Sequence, residues 1–220
     1  YFFGEGKTAV YTDPESGASN TIGCGGIRAY GKGHKILNNY FQGLTGSKWD
    51  AAITLTNGDV TNSSSSLSDH YLPEDIAVAF NTFVNNKSNI EIGFDNNGKY
   101  PKFPINCSIS NNIVVDNTAP IVKSFSPAAL AGVSFATNIM YPTGLSSIGI
   151  SATPDQIRNI DPKLVQPKCK DLNGACADHL AYKVLRLDQW SPAIDAAKGD
   201  FNEVSVDFER QERTGAKDIG

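Results

Sequence analysis

Ile36-Leu37-Asn38-Asn39-Tyr40-Phe41 is the first full copy of a pattern that recurs along the chain: an apolar residue, two spacers, an asparagine, one spacer and a second apolar residue. The pattern returns as Val78-Ala79-Phe80-Asn81-Thr82-Phe83 and as Ile109-Ser110-Asn111-Asn112-Ile113-Val114. A degenerate copy is Phe135-Ala136-Thr137-Asn138-Ile139-Met140. The asparagines stand at 39, 81, 112 and 138, so the copies are 42, 31 and 26 residues apart. Short β-rich runs at a variable period of a few tens of residues predict a solenoid, in which each strand stacks on its equivalent one turn away. An asparagine at a turn tolerates unusual backbone angles and bonds locally. Stacked on its equivalents, it can also form an amide ladder.

Working outward, the widest gap holds another strand-like run, Ala51-Ala52-Ile53-Thr54-Leu55, and the serine-rich loop Thr61 to Ser66. Helical repeats are disfavoured, because the apolar positions lack a 3.6-residue period and Asn, Gly, Ser, Thr and β-branched residues dominate. A propeller or sandwich would show more two-residue hairpin signals than Asn57-Gly58 and Asn97-Gly98. The expected fold is therefore all-β, a right-handed single-stranded parallel β-helix. Tyr1-Phe2-Phe3-Gly4 repeats the text of Tyr40-Phe41-Gln42-Gly43, so the chain is expected to begin inside a coil. Residues 1–220 then read as the C-terminal coils and closing segment of one β-helix domain, with N-terminal coils expected to be missing, on a separate chain, or not ordered. From Ala152 onward the text changes. Asp161-Pro162-Lys163-Leu164-Val165 suggests a loop and a strand, Lys183 to Ala193 a short strand and a loop, and the charged last twenty residues a covering segment.

Composition narrows the function. The 220 residues are 40% hydrophobic and 19% charged with a net charge of −4, an ordinary globular balance that does not favour nucleic acid. A polyanion would need a local basic patch. No apolar run reaches the ~18 residues of a membrane span, and no signal peptide is visible. Cys169 and Cys176 flank a six-residue loop compatible with a local disulfide and an oxidising compartment; two free thiols are the other reading. Cys24 and Cys107 read as small buried residues. His34, His70 and His179 lack metal-like spacing. Asp69, Glu74 and Asp75 form an acidic cluster that can hold calcium or be a solvated loop, and Asp95-Asn96-Asn97-Gly98 reads as a plain turn.

Three passages resemble the polysaccharide lyases of family six, the alginate lyases and chondroitinase B. The first runs from Gly25-Gly26-Ile27-Arg28-Ala29-Tyr30-Gly31 through His34-Lys35 to Asn38-Asn39-Tyr40-Phe41-Gln42-Gly43-Leu44-Thr45-Gly46. The second is Ala51-Ala52-Ile53-Thr54-Leu55-Thr56-Asn57-Gly58. The third is Asp207-Phe208-Glu209-Arg210-Gln211-Glu212-Arg213 with Asp218-Ile219-Gly220, similar to the family's closing Arg followed by Asp-Ile-Gly. The resemblance implies β-elimination on a uronate-containing polysaccharide, with alginate favoured because Gly-Gly-Ile-Arg is closer to the alginate-acting members. It implies a calcium ion, a Lys base and an Arg acid in coils upstream of Tyr1, so the catalytic residues are not assigned in this chain and an N-terminal chain of the same enzyme is a candidate partner.

What remains here is expected to be substrate-binding wall. Arg28 matches a cleft arginine that can clamp a carboxylate, beside backbone left open by Gly25 and Gly26; a surface arginine in a structural pair is the alternative. Tyr30 lies on the same side two residues on, where an aromatic suits the apolar face of a sugar. Lys48 and Trp49 precede the next strand on the same rim. Family members carry an arginine where Asp50 stands, so either Lys48 substitutes for it or the subsite differs. Lys99 and Lys102, flanking Tyr100-Pro101, read first as solvated loop lysines, with an extension of the cationic cleft as the other reading. The expected partner is an anionic polysaccharide and the expected location secreted or periplasmic. Alternative functions are a chondroitin or dermatan lyase, a non-catalytic carbohydrate-binding β-helix, or a glycoside hydrolase resting on Asp69 and Asp75.

Overall fold

In a β-solenoid the corners decide whether successive strands land on top of one another. Here the corner is built by the repeated asparagine. Asn39 donates from its backbone N and its Nδ2 to Asn81 Oδ1, each at 3.0 Å. Asn81 does the same to Asn112 Oδ1, and Asn112 to Asn138 Oδ1 at 3.1 and 3.0 Å. Each Nδ2 also bonds a carbonyl of its own coil, from Asn39 to Leu37 O, from Asn81 to Ala79 O and from Asn112 to Ser110 O. Asn81, Asn112 and Asn138 are fully buried. The left-handed backbone falls one residue before each ladder asparagine, at Asn38, Phe80, Asn111 and Thr137, with φ of 60°, 56°, 53° and 54°. Phe80 is a costly residue there, but it is buried against Phe201 and the Arg213 guanidinium, 5.1 and 5.2 Å away.

The computed structural model describes residues 1–12, 17–59, 70–117, 120–144, 146–166, 184–207 and 212–220. The turns between these corners form three parallel sheets. One has six strands, in the order Phe2–Phe3, Tyr40–Gln42, Thr82–Val84, Ile113–Asp116, Asn138–Pro142 and Ile157–Arg158. A second stacks Ile27–Ala29, Ile53–Leu55, Ile90–Ile92 and Val122–Ser124; the third stacks Lys35–Leu37, Ala77–Ala79, Cys107–Ser110 and Val133–Ala136. The chain visits second, third and six-stranded sheets in turn, the path of a parallel β-helix. Phe2 lies in register with Phe41, as the matching text at the start of the chain predicts.

Strand alternation sends one row of side chains inward. Phe2, Phe41 and Phe83 stack face to face at 4.7 and 4.8 Å, and the column continues through Val114 and Met140. A second buried polar network holds the next corner. Asn86 Nδ2 donates to Asn89 Oδ1 (3.0 Å) and Phe41 O (3.2 Å), and Asn89 Nδ2 to Asp116 Oδ2 (2.7 Å). Nothing in the repeat announces it.

The six-stranded sheet is buried on both faces. Residues 184–207 and 212–220 cover its outer row, where Val184 packs on Tyr40 and Val84, and Ala193 and Ile219 on Ile113 and Ile139. Arg213 clasps this cover: its guanidinium donates to Asp218 O and Gly220 O, each at 2.9 Å. The strand Arg186–Leu187 of this cover pairs antiparallel with Leu164–Val165, the strands that the loop-and-strand reading of both segments anticipates. Two elements lie outside the repeat's logic: an antiparallel hairpin, Thr8–Thr12 with Ser19–Gly23, and a one-turn helix, Pro127–Ala131, capped by Ser126 Oγ. Cys107 is a buried free thiol and Cys24 a half-buried one; Cys169 and Cys176 lie outside the described residues, as do Thr61 to Ser66 and His179.

Replacing Asn112 by Ala strands buried donors and acceptors in two neighbouring coils, at about 1–3 kcal/mol for each unsatisfied group. Urea unfolding is expected to show a loss of roughly 3 kcal/mol or more, and a smaller one for Asn39→Ala at the half-buried end; equal small losses would deny the ladder its role. Tyr40 yields a pH prediction. Burial pushes its phenol up from 10.0 to about 12, against the opposing Leu185 N–H at 3.1 Å. A raised folded pKa means the unfolded chain ionises first. The contribution is therefore whole below pH 10 and fades as pH climbs towards 12, a loss of roughly 3 kcal/mol. Tyr40→Phe is expected to flatten that alkaline fall in stability.

Candidate carbohydrate-binding wall

The outer face of the Arg28 sheet carries, in register, Arg28, Thr54, Glu91 and Lys123. The middle two are covered. Thr54 Oγ1 donates to Lys48 O at 2.8 Å, and the buried Glu91 accepts from Ser88 Oγ at 2.6 Å with Lys123 Nζ 3.9 Å away. Lys123 also lies over the Phe125 ring, 4.7 Å from its centre. Arg28 is exposed at the other end of the row. Its guanidinium carbon sits 5.1 Å from the Trp49 ring centre and 5.9 Å from that of Tyr30, and those rings are 47% and 40% exposed. The structure thus brings together Arg28, Tyr30 and Trp49.

Local backbone explains why Trp49 arrives there. Lys48–Asp50 is a single 3-10 turn entered through Lys48 at φ 63°. It presses on the glycine run of the preceding coil. A Cβ at Gly25 would stand 2.7 Å from Asp50 O, and one at Gly26 would collide with Ala52 O. The two glycines therefore do not leave open backbone beside Arg28. Their missing side chains are filled by the next coil, whose turn carries Trp49 to the guanidinium. Lys48 is exposed on the same turn and makes no ion pair among the described residues.

Electrostatics separate Arg28 from Lys32 and Lys35. Lys32 bonds Glu74 at 2.7 Å and lies 3.5 Å from Asp75, and Lys35 bonds Glu203 at 2.6 Å. Arg28 makes no hydrogen bond or ion pair among the described residues, so its five N–H donors are free. Burial raises the Asp50 carboxyl above the usual range, and the Arg28 charge works against that rise.

Two of the three acidic residues read as a solvated loop or a calcium cluster have partners here. Glu74 accepts from Lys32 and Tyr71, and Asp75 from Asn106 at 2.6 Å, a bond that holds its carboxyl below the usual range. Glu74 and Asp75 are tied into a network of neighbours, and Asp69 lies outside the described residues. Among the described residues, no three His, Cys, Asp or Glu side chains converge on a metal position. Asp95-Asn96-Asn97-Gly98 opens a tight turn closed by Tyr100 N donating to Asp95 O.

One residue on this side was not legible in the sequence. His70, forty positions from Tyr30, brings its ring to 5.3 Å from Tyr30 and 4.6 Å from Tyr100. No spacing signals that contact, because the solenoid and not the sequence makes these residues neighbours.

Among solved structures, the chain is similar to the PL6 family alginate lyase AlyGC, with 18% identity, 90% of this chain and 22% of that chain covered, and a TM-score of 0.55. A mutant of the same enzyme gives 22% identity, 66% and 19% coverage, and a TM-score of 0.55. At these identities the likeness establishes the fold, and the chain spans about a fifth of the length of those structures. No curated protein matches the chain. The family model described as Chondroitinase B matches residues 8–168, most of the chain. The asparagine-cornered parallel β-helix is therefore that of a known lineage: the chain belongs to the chondroitinase B family, among the polysaccharide lyases of family six.

Proposed function

We propose that this chain supplies the substrate-holding wall of a polysaccharide lyase and that Arg28 binds the carboxylate of a uronate unit. The observation that carries the reading is the unpaired guanidinium held between two exposed rings. Stacking consumes the faces of a guanidinium and leaves its N–H edge free, which suits a planar carboxylate bound in bidentate fashion. The rings beside it offer flat apolar surface to a sugar.

β-Elimination on a uronate needs a base for the proton next to the carboxylate, an acid for the leaving oxygen, and a positive group that stabilises the charge developing on the carboxylate. Arg28 suits the third task, or the parallel one of gripping a neighbouring uronate so that the reacting unit is positioned. Alginate is the favoured substrate, because the Gly25-Gly26-Ile27-Arg28 text is closer to the alginate-acting members. The matching family bears the name of a chondroitin-cleaving enzyme, and a chondroitin or dermatan chain also presents uronates. Such polymers lie outside the cytoplasm, so the proposal carries a secreted or periplasmic location with it.

Calorimetric titration of the purified chain with alginate and with dermatan sulfate tests this reading. Losing a charge-assisted bidentate contact is worth about 1.5–3 kcal/mol, so Arg28→Ala is expected to weaken binding roughly ten- to a hundredfold. Arg28→Lys is expected to recover only part, because an ammonium cannot match the fork. An Arg28→Ala chain that binds as tightly as the unaltered one removes Arg28 from the site.

A further inference from the structure

The rings beside Arg28 do not end at Tyr30. Tyr30 follows the strand Ile27–Ala29, His70 lies in the connection after Ile53–Leu55, and Tyr100 in the connection after Ile90–Ile92. They come from three successive coils. Their centres step by 5.3 and then 4.6 Å, close to the ~4.8 Å between stacked strands. The row of rings therefore runs along the helix axis. It starts at the Arg28 guanidinium, and Tyr30, His70 and Tyr100 all keep part of their surface in solvent.

The row is held rigidly. His70 N donates to Asp59 Oδ1 at 2.7 Å, and Asp59 N donates back to His70 O at 2.8 Å. Gly58 and Lys102 exchange two backbone bonds of 2.8 Å, tying the coil that carries His70 to the coil that carries Tyr100. Asp59 Oδ2 also lies 4.0 Å from His70 Nδ1, so the same carboxylate holds the ring in place.

A row of rings at coil spacing, with the Arg28 guanidinium at its end, matches a linear polymer of pyranose rings better than a single sugar. Resting on the reading of Arg28 given above, we infer that Tyr30, His70 and Tyr100 form an extended sugar platform. It directs an anionic polysaccharide along the helix axis, away from Arg28, so that affinity depends on oligosaccharide length. His70 and Tyr100 set that length; they stack on sugars and do not grip the carboxylate.

The test is calorimetric binding of alginate oligosaccharides, from the disaccharide to the octasaccharide, to the unaltered chain and to Arg28→Ala, His70→Ala, Tyr100→Ala and Tyr100→Phe. Circular dichroism checks that each variant is folded. The unaltered chain is expected to bind more tightly as length grows and then level off. In Tyr100→Ala the gain stops at a shorter oligosaccharide, leaving the longest about fivefold weaker, the size expected for one aromatic contact. Tyr100→Phe, which keeps the ring, retains the gain. His70→Ala, if folded, stops the gain earlier still. A Tyr100→Ala chain with the full length dependence overturns the platform, whatever Arg28→Ala does. Loss of the length dependence in Tyr100→Ala with no effect of Arg28→Ala keeps the platform and removes the carboxylate grip. No binding of any oligosaccharide by the unaltered chain overturns both.

Discussion

The stacked asparagine corner is the interaction on which the rest of this protein depends. An asparagine carries both a donor and an acceptor, so one side chain can bond its own coil and the coils on either side. In this chain the same amide oxygen takes the preceding asparagine's backbone N–H and its side-chain N–H, which fixes both the height and the rotation of each turn. In a buried setting such an arrangement is all or nothing, because any missing member leaves unpaired polar groups. What it does not constrain is the length of chain between corners. Copies 42, 31 and 26 residues apart share one geometry, and the extra residues form the loops that build the outer surface.

That division accounts for how the candidate wall arises. Register in the Arg28 sheet places Arg28, Thr54, Glu91 and Lys123 in one outward row. The turn before the second strand carries Trp49 to one end of it, and connections from three coils deliver Tyr30, His70 and Tyr100 to the edge. No two of the last three are close in sequence. The solenoid turns a distance of forty residues into one ring contact. Near the wall, Lys32 is spent on Glu74 and Lys35 on Glu203. Arg28 stands against rings instead, and among the described residues its donors are left free.

The fold was legible because its signal is periodic. Four asparagines with apolar residues three before and two after can be found by eye, and the Phe2–Phe41 register follows from the same text. The covering role of the last residues was legible in outline. Its fastening by Arg213 to the carbonyls of Asp218 and Gly220 appears only in three dimensions. The residue with the left-handed backbone was misplaced by one, because asparagine's tolerance of that conformation draws attention to the ladder residue rather than to the Phe80 or Thr137 before it. The hairpin at Thr8–Thr12 and Ser19–Gly23 carries no two-residue turn signal, and the Asn86–Asn89–Asp116 network occurs once and has no repeat to reveal it. At the site, Arg28, Tyr30 and Trp49 were visible as text. The reason offered for Arg28, open backbone at Gly25 and Gly26, gave way to close packing of the next coil against those glycines.

The most direct test of the account is a crystal structure of the chain with a uronate oligosaccharide bound. The account requires a sugar carboxylate within hydrogen-bonding distance of the Arg28 guanidinium, with the neighbouring pyranose against the Tyr30 or Trp49 ring. An oligosaccharide bound on another face, with Arg28 still free between its two rings, would contradict it.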